Sequence, residues 1–236
     1  MENFKRKASA LGIELSDKQL DQFRRYYEML VEKNKVMNLT AITEWEEVID
    51  KHFIDSISLV KACDLSDEKY ILDLGCGAGF PGIPLKIAFP NLKIVLLDSL
   101  NKRILFLQEV IEVLGLEKVE ALHGRAEDYA RKAEYREQFD YCVSRAVANL
   151  TTLSEYCIPY VKEGGSFISY KSGKVKEEVK EVKKALSILG GKMDEMVTFE
   201  LPETDMERIF VKIKKEKKTP KKYPRKAGLP GKEPLK

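Results

Sequence analysis

The stretch ILDLGCGAGFPGIPL, residues 71–85, decides the fold. Its apolar beginning extends the run YILDL, residues 70–74, which is typical of a buried strand. Glycines follow, and the segment 83–88 then has the composition of a helix. A glycine-rich turn between a strand and a helix lets backbone N–H groups and a helix N-terminus approach a ligand closely. The pattern therefore predicts a nucleotide-cofactor turn.

Short apolar segments alternate with helical ones on the C-terminal side of this turn, which predicts a mostly parallel sheet with helices on both faces. The predicted fold class is α/β, Rossmann-like, with seven strands. The predicted strands are 70–74, 93–98, 119–124, 140–146, 165–171, 197–202 and 208–215, and the predicted helices are 83–88, 102–114, 127–132, 150–160 and 174–189.

Residues 1–66 read as an N-terminal helical cap. Ser16 is a plausible N-cap for a helical apolar stripe that begins at Leu20, and Thr43 with Glu46 is a possible capping box for the next helix. We expect an α/β domain over residues 67–215 and a basic, flexible tail over residues 216–236.

Two classes of cofactor fit the glycine turn. The segment from Gly77 to Gly82 matches GxGxxG, and Asp98 ends the second strand 23 residues after Gly75, at a suitable distance for a ribose. Both features suit NAD and S-adenosylmethionine equally. Asp73 favours S-adenosylmethionine, because a carboxylate in the strand opposes a diphosphate and attracts a sulfonium and an ammonium. A glycine turn that binds no ligand is the structural alternative.

Composition narrows the function classes further. No apolar run approaches the roughly 20 residues of a membrane span, and the N-terminus lacks an apolar signal region, so we expect a cytoplasmic protein. The four cysteines form no CxxC pair and no His cluster accompanies them, so we expect no metal site. Segment 214–236 holds ten Lys/Arg and two Glu, a net charge of +8, against a total of +3. The rest of the chain is therefore acidic.

Several motifs in order resemble the bacterial RsmG family, also called glucose-inhibited division protein B. They are NLTAIT, HFIDSI, ILDLGCGAGFPGIPL, LLDSLNKRILFL, GRAEDYA, SRAVANL and TPKKYPRKAGLP, and they span nearly the whole chain. The resemblance implies a class I S-adenosylmethionine-dependent methyltransferase that modifies guanine N7 in the 530 loop of 16S rRNA in the small ribosomal subunit.

The candidate cofactor residues follow from the turn and from the resemblance. We expect Gly75, Gly77 and Gly79 to approach the methionine end, Phe80 to cover it, and Asp98 to accept hydrogen bonds from the ribose hydroxyls. The resemblance assigns adenine contacts to Ala126 and Glu127, and a cofactor contact to Arg145. A turn or helix-cap role is the alternative for Asp98, Glu127 and Arg145.

No single side chain is expected to act as an acid or base, because guanine N7 carries a lone pair and no proton. His52 and His123 are expected to be structural, and Cys142 a small core residue. The predicted RNA contacts are Lys171 at the end of the fifth strand and, in the tail, Lys221, Lys222, Tyr223, Arg225 and Lys226.

Prolines, glycines and charge predict that this tail is disordered or draped over the surface. A monomer is expected. Three rival functions remain: an NAD-dependent oxidoreductase, a non-catalytic ribosome-binding protein, and a methyltransferase that acts on a small molecule or a protein.

Overall fold

The computed structural model describes residues 1–145, 148–173 and 175–235. Its centre is a seven-stranded sheet in the order β3-β2-β1-β4-β5-β7-β6, in which β7 is antiparallel to its two neighbours and the other pairs are parallel. The strands are β1 Tyr70–Leu74, β2 Lys93–Asp98, β3 Val119–His123, β4 Phe139–Ser144, β5 Val161–Lys171, β6 Gly191–Glu200 and β7 Glu207–Lys215. The predicted α/β fold class is confirmed.

Helices cover both faces of the sheet. They are α1 Glu2–Ala10, α2 Asp17–Met37, α3 Trp45–Val48, α4 Asp55–Ile57, α5 Gly82–Ala88, α6 Asn101–Leu114, α7 Ala126–Tyr129, α8 Leu150–Cys157, α9 Lys176–Glu181, α10 Lys183–Leu189 and α11 Leu229–Lys232. A π-helical segment, Ile49–Ile54, joins α3 to α4, and 3-10 turns cover Ser58–Lys61 and Ile158–Tyr160.

The N-terminal helices share one hydrophobic core with a face of the sheet. Phe4, Phe23 and Phe53 pack edge to face or tilted, with ring centroids 4.7–5.7 Å apart. They belong to the same buried cluster as Ile71 of β1 and Leu96 of β2. The helical segment is therefore an integral layer of the fold.

Helix α2 begins as the sequence predicts. The Ser16 side chain accepts a hydrogen bond from Gln19 N, and Gln19 in turn accepts one from Ser16 N, which completes a capping box. The second predicted box is wrong: α3 begins after Glu44, whose side chain makes no cap hydrogen bond, and Thr43 and Glu46 do not form the reciprocal pair.

The segment after β7 is packed, so the expectation of a disordered tail does not describe this structure. Tyr223 is only 8% exposed, and Thr219 and Pro230 are also buried. Arg136 donates hydrogen bonds to the carbonyl oxygens of Thr219 and Tyr223. Because these contacts come from the rest of the fold, the composition of the tail alone could not reveal them. The structure agrees with a segment that lies along the surface.

Candidate active site

The first cavity lies at the carboxyl ends of β1, β2 and β3 and has a volume of about 450 Å³. β1 lies between β2 and β4, so the order of the strands reverses at β1 and the connecting helices on its two sides cover opposite faces of the sheet. Ligands bind at such a switch point in open α/β sheets. The lining residues include Gly75, Asp98, Ser99, Arg103, Arg125, Ala126, Glu127, Ala148, Tyr156 and Gly228. Four predicted cofactor residues, Gly75, Asp98, Ala126 and Glu127, are therefore brought together.

Asp98 is buried at the floor of this cavity and is fixed by the backbone of two loops. Its Oδ2 accepts a hydrogen bond from Gly77 N at 2.9 Å, and its Oδ1 accepts one from Leu100 N at 2.9 Å. Arg103 Nη1 lies 3.2 Å from Oδ2. A carboxylate has about four acceptor positions. Gly77 N, Leu100 N and Arg103 Nη1 use three of these positions, so Asp98 keeps one for a ribose hydroxyl while its orientation is already set; a second hydroxyl would take the position of Arg103.

The glycine loop itself requires positive φ angles. Gly75 and Gly77 have φ values of 75° and 59°, a region that side chains disfavour. Gly79 has a φ of 107° and is also crowded, because an added Cβ would lie 2.7–2.8 Å from Leu107, Ile83 and Tyr26 side-chain atoms. The loop sequence thus follows from backbone geometry and packing.

Tyr26 on α2 holds this loop from behind, a contact that the sequence did not indicate. Its hydroxyl donates a hydrogen bond of 2.6 Å to Ala78 O, and the side chain is fully buried. Its ring centroid lies 5.5 Å from that of Phe80. The N-terminal helical layer therefore contacts the glycine loop directly.

Asp73 lies beneath the loop, outside the residues that line the cavity. It is 0% exposed, and its Oδ2 accepts a hydrogen bond from Gly82 N, at the beginning of α5, at 2.8 Å. Its Oδ1 is buried without a hydrogen-bond partner in the described part of the chain. Burial raises the pKa of Asp73 to about 7, against the lowering effects of the Gly82 N–H and Arg145. An unsatisfied buried carboxylate oxygen fits a nearby cationic ligand group.

A second cavity of about 670 Å³ lies beside the first, and Ala148 lines both. Asp55, one of its lining residues and only 4% exposed, pairs with two arginines: Oδ2 with Arg145 Nη1 and Oδ1 with Arg208 Nε, each at 2.7 Å. Arg145, expected to contact the cofactor, lines this second cavity and not the first.

Arg208 and Asp55 were not predicted as site residues. The position of Arg208 in the sequence was a weak signal, because Arg208 lies at the beginning of β7. The beginning of an antiparallel strand lies at the same edge of the sheet as the carboxyl ends of the parallel strands. Lys171, which was predicted, is at the same edge; its Nζ donates to Ala148 O at 2.7 Å and pairs with Glu178 at 2.9 Å.

Phe80 is covered by the π-helical segment. The His52 ring stacks on Phe80 with centroids 4.4 Å apart and planes 20° apart, and the Arg145 guanidinium lies 5.1 Å from the same ring centroid. Burial, with Arg145 nearby, lowers the pKa of His52 to about 3, so the imidazole is neutral. Irregular helical turns of this kind often occur at functional sites. The second histidine, His123, ends β3, and its Nε2 lies 3.2 Å from Ser99 O.

The predicted RNA-contacting residues of the tail divide into two groups. Lys221, Lys222 and Lys226 are exposed. Tyr223 is buried, and Arg225 pairs with Glu155 at 2.7 Å. Tyr223 and Arg225 therefore make their contacts within the protein.

Two further observations concern membranes and metal ions in the described ranges. None of the helices there is long and apolar enough to cross a bilayer. Among the same residues, no three His, Cys, Asp or Glu side chains come together in a way that could hold a metal ion. Ala146, the last residue of the predicted fourth strand, and Lys174, the first of the predicted helix 174–189, lie outside the described residues.

The strand order and the glycine turn, with Asp98 at the end of β2, define a class I S-adenosylmethionine-dependent methyltransferase fold. The solved structure of M. jannaschii TYW2 in complex with AdoMet has this fold; it superposes with a TM-score of 0.55 at 14% identity, over 74% of this chain and 79% of that one.

The sequence model described as rRNA small subunit methyltransferase G, GidB, matches residues 19–207. The chain is 60% identical to the ribosomal RNA small subunit methyltransferase G of Lachnoclostridium phytofermentans, over 96% of this chain and 93% of that one. It is 54% identical to the protein of the same name in an Exiguobacterium species, over 96% and 95%. The chain belongs to the rRNA small subunit methyltransferase G family.

Proposed function

We propose that this protein transfers the methyl group of S-adenosylmethionine to N7 of a guanine in the 530 loop of 16S rRNA, acting in the cytoplasm as a monomer. The observation that carries the proposal is the meeting of the two cavities at Ala148. One cavity has the residues for an adenosine-bearing cofactor, and its neighbour is large and charged enough to receive a nucleotide. Family membership supports the substrate class.

The cofactor would be held by the residues of the first cavity and its loop. Asp98 would bind the ribose hydroxyls, Ala126 and Glu127 would contact the adenine, and Gly75, Gly77, Gly79 and Phe80 would flank the methionine end. Asp73, beneath the loop, would favour its positive charge. When bound, S-adenosylmethionine supplies an electrophilic methyl group on a sulfonium. Arg145 would act at the border of the two cavities, through its contacts with Phe80 and Asp55.

The second cavity suits a guanine whose N7 must stay free. Arg145, Arg208 and Lys171 can donate hydrogen bonds to O6 or to a phosphate, and the carboxylates of Asp55 and Glu178 can accept hydrogen bonds from N1–H and from the exocyclic N2 amino group. Recognition of guanine through that edge would leave N7 facing the methyl donor. The exposed Lys221, Lys222 and Lys226 would contact phosphates and contribute affinity without base specificity.

The chemistry requires positioning and no proton transfer. With the cofactor bound, the N7 lone pair would form the new bond to the methyl carbon, and the electron pair of the carbon–sulfur bond that breaks would remain on sulfur. No proton leaves the base, so the side chains act by orientation and by excluding water. A titratable site residue whose substitution abolished turnover, with both cofactor and RNA affinity intact, would contradict this mechanism.

The test is transfer of a labelled methyl group. Purified protein and methyl-labelled S-adenosylmethionine are mixed with 16S rRNA, or with small subunits, from cells that lack this gene, and the label is mapped by nuclease digestion. Label on a guanine of the 530 loop is the expected result. If the cofactor binds but no label appears on RNA, the protein either methylates a small molecule or another protein, or has a non-catalytic role.

A matched pair of variants tests the second cavity. Arg208→Ala should reduce methyl transfer, because it removes a donor that faces the cavity, by on the order of 10- to 100-fold for a charge-assisted contact. Arg6→Ala removes an arginine that pairs with Glu203 on the exposed surface at 2.6 Å and should leave transfer unchanged. Equal activity of the two variants would exclude this cavity as the base site.

A further inference from the structure

The C-terminal strap, which we define as residues 223–232, crosses one side of the first cavity. It begins at the buried Tyr223 and ends with helix α11, where Pro230 is buried and its carbonyl oxygen accepts a hydrogen bond from Thr152 Oγ1 at 3.2 Å. Between these points Gly228 lines the cavity together with Gly75 and Asp98. The end of the chain therefore supplies part of the cofactor site.

One ion pair anchors the strap. Glu155, on α8, is 1% exposed. Its Oε1 accepts hydrogen bonds from Arg225 N at 2.8 Å and Arg225 Nε at 2.9 Å, and its Oε2 accepts one from Arg225 Nη2 at 2.7 Å. The same Nη2 also donates to Glu233 O at 2.7 Å. A bidentate pair of this kind fixes orientation as well as position.

The strap also fixes a cavity side chain. Gly228 N donates a hydrogen bond of 2.8 Å to Glu127 Oε1, and Glu127 is itself buried. Gly228 adopts a φ of 80°, a conformation that favours glycine. Displacement of the strap would therefore remove a wall of the cavity and free the carboxylate of Glu127.

We propose that Arg225 is a positioning residue for the cofactor: through the strap it holds Gly228 and Glu127 against the adenosine end. In this proposal the strap retains the cofactor, and the exposed lysines of the tail make the phosphate contacts. The proposal rests on the proposed cofactor, and it does not depend on which RNA, protein or small molecule receives the methyl group.

The experiment measures cofactor binding by calorimetry and cofactor dissociation by stopped flow, with S-adenosylmethionine and S-adenosylhomocysteine. Arg225→Ala should weaken binding at least 10-fold, mainly through faster dissociation, and raise the KM for cofactor with little change in kcat. Arg225→Lys should restore only part of the affinity, because lysine cannot make the bidentate contact.

A milder pair of variants covers the case in which Arg225→Ala fails to fold. Gly228→Ala and Gly164→Ala place the same side chain at φ values of 80° and 83°, and in both the added Cβ meets no atom within 4 Å. Gly164 lies in an exposed part of β5 away from both cavities. Backbone strain is therefore matched, and only Gly228→Ala should weaken cofactor binding.

Each result decides between explanations. Wild-type cofactor affinity and dissociation rate in a folded Arg225→Ala variant, or equal affinity of the two glycine variants, would overturn the proposal. Weaker RNA binding with unchanged cofactor binding would assign Arg225 to the RNA. Failure of the wild-type protein to bind S-adenosylmethionine would instead refute the proposed function itself.

Discussion

Asp73→Asn tests how the buried carboxyl below the glycine loop affects stability and binding. Burial raises the pKa of Asp73 from its ordinary value of 3.8 to about 7. The neutral carboxyl is thus favoured by folding: the stability that it contributes is complete below pH 3.8 and is lost as pH rises to about 7. The gap between the two pKa values corresponds to roughly 4 kcal/mol, since one pKa unit is about 1.36 kcal/mol.

Most of this loss falls in an accessible range of pH. Relative to Asp73→Asn, the cofactor-free wild type should lose about 2–3 kcal/mol of unfolding free energy between pH 5 and pH 8.5. For a chain of this size that is a relative fall in Tm of about 5–10 °C. The nearby charges of Arg145 and Asp98 are present in both proteins, so their effects on unfolding cancel in the difference.

The assay is thermal unfolding followed by circular dichroism across this range, with calorimetry of S-adenosylmethionine binding at pH 8. Asp73→Asn should unfold at a higher temperature than wild type at pH 8.5, yet bind the cofactor about 10-fold more weakly because the negative charge is lost. Parallel Tm curves for the two proteins would show that Asp73 does not titrate in this range, and would refute the reasoning.

Three other substitutions have defined outcomes. Tyr26→Phe removes the donor to Ala78 O and should cost about 1–3 kcal/mol of unfolding free energy, measured by urea denaturation, with weaker cofactor binding as the sign that the loop has moved. Asp55→Ala leaves two arginines without their shared carboxylate and should cost about 3–5 kcal/mol; an unchanged midpoint would show that the pair is dispensable. Gly190→Ala should destabilise strongly, since an added Cβ would lie 2.2 Å from Lys217 O at a φ of 84°; a Tm within 2 °C of wild type would contradict this packing.

The sequence predicted β1 and β2, at the centre of the sheet, better than β6 at one edge. The ranges 70–74 and 93–98 match β1 and β2, because central parallel strands are continuous apolar runs. The predicted strand 197–202 begins six residues later than β6, which starts at Gly191. Among the strands that the structure describes, β6 pairs with β7 alone, and much of it is exposed, so its polar first half resembles a loop.

The same contrast applies to the site. Asp98 and the glycine loop follow from local spacing along the chain, and the structure places Asp98 at the floor of a cavity beside Gly75. The ion pairs of Asp55 with Arg145 and Arg208 join residues that are 90 and 153 positions apart in the sequence. A local sequence pattern cannot indicate contacts between residues so far apart in the chain. The π-helical turn and the packed tail likewise depend on tertiary contacts.

Tyr26 and Gly228 lie at opposite ends of the sequence, yet one supports the glycine loop and the other lines the cavity that this loop borders. Because synthesis runs from the N-terminus, the glycine loop and the sheet are made before residue 228 completes the lining of the cavity. A nascent chain that has not yet reached this residue has an incomplete cavity and should not retain a ligand there.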